Sequence, residues 1–208
     1  MAYQKFKLST LEEKFNLSIE LATFIPKNLP SISVSEWLLQ ALEDNEWENL
    51  ESEKAKSELI ITPILKELHK KNRHKFSYFS GYEFNVDKKL ALNGFCDFIL
   101  SAIPNNPLIK APVFCMVEAK KGLIEAGYGQ CGAEMFAAQL FNEREGKPQL
   151  AIYGCVTNAM TWQFLKLENN LLSIDPHSIQ LSYSQPHQVL SVLQWIVNQI
   201  EHSFFIKT

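Results

Sequence analysis

Arginine is almost missing from this chain of 208 residues: Arg73 and Arg144 are the only two. Arginine facing guanine is the commonest sequence-specific contact to DNA, so strong base readout by this chain alone is disfavoured. An excess of positive charge is missing too. Lysine and arginine number 20 against 23 acidic residues, a formal net charge of −3, which argues against a protein that coats nucleic acid. No apolar run approaches the ~18 residues of a membrane span. The start, Met1-Ala2-Tyr3-Gln4-Lys5, has neither an apolar stretch nor a small-residue cleavage site, so export is not expected. Cys-x-x-Cys pairs are absent. Cys96, Cys115, Cys131 and Cys155 are well separated, which predicts reduced core thiols in a cytoplasmic protein and no structural zinc. His69, His74, His177, His187 and His202 stand outside any metal-ligand spacing and are expected at the surface.

What is present is a globular composition, 46% hydrophobic and 12% aromatic, sufficient for one domain with a substantial core and an extension. Residues 1–50 read as a helical, acidic N-terminal extension packed on a core domain over 51–208. One short helix opens at Thr10-Leu11-Glu12-Glu13 and another at Ser33-Val34-Ser35-Glu36, with Pro26 and Pro30 between them. A helix comes next over about 53–71, where Glu58, Ile61, Leu65 and Leu68 keep the spacing of one helical face. Pro63 inside it predicts a kink or a late start. Strand-like runs cover 76–86, 92–101 and 113–119. A helix over 123–145 ends before Gly146 and Pro148, and a hairpin over 149–157 and 161–167 turns at Asn158-Ala159. Strand-like material over 171–181 and an amphipathic helix over 189–205 complete the chain. This order predicts an α/β sandwich around a central mixed sheet.

The chemistry concentrates in two of these strands. Glu118-Ala119-Lys120 ends the apolar run Val113-Phe114-Cys115-Met116-Val117, and residues two apart on a strand share a face. Glu118 and Lys120 therefore occupy the face that Phe114 and Met116 would otherwise share, where charges need partners, a metal or water. Just upstream, Gly94-Phe95-Cys96-Asp97-Phe98-Ile99-Leu100 carries a single acid among apolar residues. Four acid-x-Lys triplets occur, at Glu12, Asp87, Glu118 and Glu145, against about one expected from average composition. Only the one at Glu118 ends an apolar strand, comes after a strand with its own acid and precedes a long helix. Two lone carboxylates and a lysine on buried-looking strands point to a divalent-metal site for phosphodiester cleavage.

In this order the residues resemble the PD-(D/E)xK nuclease superfamily, the restriction-endonuclease-like fold, over about residues 51–168. Ser57-Glu58-Leu59-Ile60-Ile61-Thr62-Pro63-Ile64-Leu65 looks like the family's first helix. Gly94 to Phe98 looks like the strand with the metal-binding aspartate, and Val117-Glu118-Ala119-Lys120 like the (D/E)xK strand. Gln130 resembles the glutamine found further on, in the second helix, and Tyr153-Gly154-Cys155-Val156-Thr157-Asn158-Ala159-Met160-Thr161-Trp162 a hairpin of restriction-subunit relatives. No proline precedes Asp97, and Ala159 stands where glycine is usual, in a turn where alanine tolerates a positive φ poorly. The resemblance implies a restriction-endonuclease-like α/β/α sandwich with a central mixed β-sheet flanked by helices.

It also implies a Mg²⁺-dependent nuclease, with Mn²⁺ as a substitute, acting on DNA in preference to RNA. Asp97 and Glu118 would bind the metal, with the carbonyl of Ala119 and with Glu58 directly or through water. Lys120 would serve the attacking water and the transition state, and Gln130 would orient Lys120 or hold phosphate. The run Lys66-Glu67-Leu68-His69-Lys70-Lys71-Asn72-Arg73-His74-Lys75 is either a phosphate-tracking patch or a helix end whose cations meet the dipole. A second reading stays open: a catalytically silent module of the same fold that binds nucleic acid or a partner protein. The acidic N-terminal segment keeps that reading open through a basic partner or a homodimer contact.

Overall fold

Leu11 and Phe15, four residues apart, share one face of the first helix, α1 (Leu8–Phe15), and both are buried. Asn16 ends it in the left-handed conformation with φ 53°, a state asparagine adopts more readily than most residues. Then come β1 (Ser18–Leu21), α2 (Glu36–Asn45), capped by Ser35, and α3 (Glu53–Lys56), capped by Ser52. A π-helical turn, Ser57–Ile61, runs into α4 (Thr62–Lys71). Strands β2 (Ser77–Glu83), β3 (Phe95–Ser101) and β4 (Val113–Ala119) come next, and a 3₁₀ turn, Ile124–Gly127, opens α5 (Tyr128–Arg144). The chain continues through β5 (Ile152–Thr157), β6 (Thr161–Glu168), β7 (Leu171–Ile174), β8 (Ile179–Gln180) and α6 (His187–Phe205). The computed structural model describes residues 2–147 and 151–205, with side chains through residue 200. Pro148, the expected strand start at Gln149 and the side chain of His202 lie outside the described residues.

The fold is α/β, with an eight-stranded mixed sheet in the order β1-β7-β6-β5-β4-β3-β2 and β8 beside β6. β2, β3 and β4 form an antiparallel meander, and β4 pairs in parallel with β5. That parallel step needs a crossover, which α5 supplies. Helices cover both faces. One core joins Leu38, Ile61, Leu65, Phe98, Trp162 and Leu193; the other joins Leu11, Phe15, Met116, Cys131, Met135 and Leu172. Every residue of β4 is buried, as a strand covered on both faces requires. Among the described residues no helix is long and apolar enough to cross a membrane.

Three expectations need correction. Residues 1–50 are not a purely helical extension: β1 pairs in parallel with β7 and extends the sheet. Tyr3, Phe6 and Leu11 enter one core and Leu38 and Leu42 the other, so the segment is built into both layers. Second, the stretch 53–71 is helical, but the π turn before Pro63 adds a residue to the winding. Such a turn accommodates the missing proline N–H and rotates the helix before it relative to the helix beyond. Glu58 is consequently exposed, while Ile61, Leu65 and Leu68 are buried. Third, Phe114 does not share the face of Met116. Leu100 pairs with Cys115 and Ser101 with Val113, so Phe114 is the extra residue of a bulge. Its ring meets Phe76 on the opposite face, centroids 5.8 Å apart.

Gly129 fixes how α5 meets the N-terminal segment. A Cβ there would collide with the Phe6 carbonyl oxygen and the Lys7 backbone, which have no flexible end to move. Gly129→Ala is expected to cost about 1–3 kcal/mol by overpacking, lowering Tm by about 2–12 °C in a chain of this size. Differential scanning calorimetry checks this; an unchanged Tm would show that the N-terminal segment does not pack tightly on α5.

Candidate functional site

The centre of the site arises from how β3 and β4 part. Their ladder runs as far as Phe98 opposite Val117. One step on, the Ala119 N–H donates not to a carbonyl of β3 but to Asp97 Oδ2, at 2.7 Å. Strict alternation also breaks here, since Cys96 and Ile99, three residues apart, enter the same core. Asp97 is thus held by the end of β4. Beyond β4, the Lys120 N–H donates to the Thr157 carbonyl of β5 at 2.8 Å, which anchors the lysine backbone.

Side chains then form a chain of contacts. The Lys120 ammonium donates to Glu118 Oε1 and, at 3.0 Å, to Gln130 Oε1. Gln130 Nε2 donates to Glu134 Oε1 at 3.1 Å, one turn along α5. Asp97 and Glu118 act on each other electrostatically. Glu118, Gln130 and Glu134 are 1%, 5% and 0% exposed, so water screens this cluster little. Glu118 Oε2 and Glu134 Oε2 are buried with no hydrogen-bond partner among the described residues. An unpaired buried carboxylate oxygen is costly.

Burial dominates the electrostatics. It raises the pKa of Asp97, against the pull of the Ala119 N–H and Lys120. Glu118 is raised well above the carboxylate range by burial, then by Glu134 and Asp97, with Lys120 opposing. Glu134 is pushed up to about 8, again chiefly by burial. For Lys120, burial acts to lower the pKa, but Glu118, with Glu53 and Asp97, outweighs it, so the ammonium stays charged. Three crowded carboxylates and one cation make a site that retains a proton or gains from a further positive charge.

The structure brings together Asp97, Glu118, Lys120 and Gln130. Glu58 stands apart from them in its described contacts: its partner is Lys54, at 3.7 Å on the exposed face. The π turn is the reason. Glu53, one turn earlier, is instead the acid from this helix that Lys120 senses. Glu134 was legible, four residues after Gln130, but reads in sequence as a structural helix residue.

The basic run 66–75 also lies elsewhere. It feeds β2 at Ser77, which pairs with Ser101, whereas Asp97 is four residues away at the other end of β3, about 13 Å along the strand. Its residues have local partners: Lys66 lies over the Trp37 ring and Lys71 meets Glu67 and Ser33, and its cations close α4, as the helix dipole favours. His69 is not simply at the surface, because its ring packs edge-on against Phe76 and Tyr78. Cations near the cluster come from α3 and the loop after β4, where Lys56 Nζ donates to the Lys121 carbonyl.

In the β5–β6 turn Ala159 adopts φ 78°, so the turn keeps the shape that glycine would favour. Thr157 Oγ1 accepts the Ala159 N–H at 3.0 Å, and the Ala159 carbonyl accepts Trp162 Nε1 at 2.8 Å. Trp162 itself is core, fully buried.

Among the described residues no three His, Cys, Asp or Glu side chains gather into a metal-holding group. Asp97 and Glu118 alone offer a pair of hard oxygen donors, one with an orphaned oxygen. Magnesium is commonly held by one or two carboxylates, with waters and phosphate oxygens completing its shell, so the pair fits that ion. Compared with known protein families, with curated proteins and with solved structures, the chain matches none significantly.

Proposed function

We propose that this chain is a metal-dependent nuclease that hydrolyses phosphodiester bonds of DNA, on a restriction-endonuclease-like α/β/α sandwich. One observation carries the reading: Asp97, half-buried on β3, is held by the end of β4, where buried Glu118 meets a charged lysine two residues further on and a helix glutamine accepts from that lysine. The element order supports it as well, helix α4, the meander β2-β3-β4, helix α5 and the parallel strand β5.

Asp97 and Glu118, with the Ala119 carbonyl, would hold Mg²⁺ or Mn²⁺. A bound magnesium supplies charge for the phosphate oxygens and acidifies a ligated water. The chain's own residues do the rest. Ala119 N–H fixes Asp97. Glu118 keeps Lys120 protonated, and Lys120 presents its ammonium to charge that develops on the phosphate in the transition state. Gln130 turns its carbonyl to Lys120 because Glu134 takes its amide hydrogens. Glu134 is therefore a positioning residue, acting through Gln130.

The test is a cleavage assay on duplex, flapped and single-stranded DNA and on RNA, with Mg²⁺ or Mn²⁺. Metal-dependent cleavage that is lost in Asp97→Ala supports the proposal. Nucleic-acid binding without cleavage would favour the silent module.

Phosphate docking has its own check. Lys121 follows Lys120 and Lys56 donates to its carbonyl, so replacing both by alanine is expected to flatten the salt dependence of DNA binding by up to about two units of slope. Replacing Lys70, Lys71 and Arg73 should leave it unchanged. Anisotropy titrations across a salt series measure both, and the reverse outcome would move the docking surface to the far end of the sheet.

A further inference from the structure

At the same end of the sheet as the acidic cluster lies a cavity of about 700 Å³, within the range of small-ligand pockets. The loop leaving Lys120 supplies Leu123 and Glu125 to its wall, the start of α5 supplies Tyr128, and β6 and the end of β7 supply Gln163 and Asp175. Cavity and cluster share a partition. A Cβ on Gly127, next to Tyr128, would lie 3.1 Å from Lys120 Cε and 2.5 Å from Val156 Cγ1. The turn carrying Tyr128 therefore rests against the lysine. Asn158 Nδ2 ties the hairpin to the Gly122 carbonyl at 3.2 Å, which closes the wall.

Two polar side chains of this cavity, Gln163 and Tyr128, can meet a ligand. Gln163 is 5% exposed, and its described side-chain bond is from Nε2 to the Asp175 carbonyl. With Nε2 engaged in this way, the amide oxygen is the part of the side chain left to accept a hydrogen bond from whatever enters the cavity. Tyr128 is half-buried at the cavity wall, and burial, then Glu125, keeps its hydroxyl protonated. Neither lysine nor arginine lines the cavity, while Glu125 and Asp175 do. Such a lining repels phosphate and admits a flat, uncharged ring bearing an N–H donor.

Resting on the nuclease reading, we propose that this cavity takes one unpaired nucleobase of the substrate strand, beside the scissile phosphate. The ring packs against Tyr128 and an exocyclic amino group donates to Gln163 Oε1. The substrate is then a strand that is single or frayed where it is cut, because a base inside a duplex must first leave the stack. Adenine and cytosine carry the required amino group and thymine does not, so the cavity ranks bases without reading a sequence.

Binding decides the matter independently of cleavage. Short single-stranded oligonucleotides of dA, dC or dT, and an abasic strand of equal charge, are titrated against the full chain with Ca²⁺ by fluorescence anisotropy, and cleavage with Mg²⁺ is measured in parallel. The dA and dC strands are expected to bind at least tenfold tighter than the abasic strand, the scale of one base on an aromatic ring. Tyr128→Ala should erase that ratio and Tyr128→Phe keep it, while Gln163→Leu should level dA and dC with dT. Equal binding of abasic and base-bearing strands, or a ratio untouched by Tyr128→Ala, overturns the proposal. Failure to cleave any substrate while the ratio persists would overturn the nuclease reading and leave the base site standing; no binding of any strand overturns both.

Discussion

Asp97→Ala and Lys120→Ala are each expected to abolish detectable cleavage, for different reasons. Removing one preorganised donor to developing charge costs about 10²- to 10³-fold in rate, and Lys120 is such a donor, fixed by Glu118, Gln130 and its own backbone bond to Thr157. Asp97 lies upstream of that step, as one of two carboxylates that would hold the ion. Metal binding separates the two variants. Saturating Mn²⁺ stabilises whatever folded protein binds it by mass action, by about 2.7 kcal/mol at a hundredfold excess over Kd. The rise in Tm should vanish in Asp97→Ala and survive for the most part in Lys120→Ala. Lys120→Met, which keeps the buried stem, guards against a packing effect. Equal loss of the Mn²⁺ shift in both variants would contradict the separate roles.

The second large effect is on stability against pH. Glu134 is pushed up to about 8 in the fold from an ordinary value of 4.5, and Asp97 and Glu118 shift in the same direction. The folded state therefore binds protons more tightly than the unfolded chain. Stability from this source is fully present below pH 4.5 and is lost as pH rises to about 8. Metal-free protein should thus melt lower at pH 8 than at pH 6. Glu134→Gln, which keeps the shape and cannot ionise, should remove much of that fall, leaving a Tm gap to wild type on the order of 5 °C at pH 8. Mn²⁺ should act with the opposite sign, stabilising more at pH 8 than at pH 6, because its ligands must first lose their protons. Thermal melts across pH with and without Mn²⁺ test both signs. A flat profile in the metal-free wild type would mean that the cluster is hydrated and its carboxylates ordinary.

The strands that carry the site were legible because apolar runs bounded by turn residues are a local signal. β4 begins and ends where the sequence places it, and Glu118 and Lys120 meet as residues two apart should. Gln130 was reached only through the resemblance to a nuclease superfamily, since nothing in the local spacing marks it. Other features were not legible. The bulge that turns Phe114 to the opposite face comes from the pairing with Ser101, more than ten positions upstream. β1 is four residues, only two of them apolar, and it becomes a strand because β7 offers it a parallel partner. Glu58 keeps perfect helical spacing with Ile61 and Leu65, yet the π turn takes it off their face.

The sequence by itself determined the α/β character, the order of the main elements from α4 onward and the types of chemical group available. These depend on periodicity and on turn residues, which act over a few neighbours. Tertiary structure decided which further groups meet the Glu118–Lys120 pair. Gln130, and Glu134 through it, reach Lys120 only because α5 packs on β4, and the basic run 66–75 stays clear of the cluster because β2 and β3 run antiparallel and put its end of β2 opposite Ser101. Electrostatic coupling depends on distance and burial rather than on separation along the chain, so the partners of a buried charge are fixed only when the sheet is assembled.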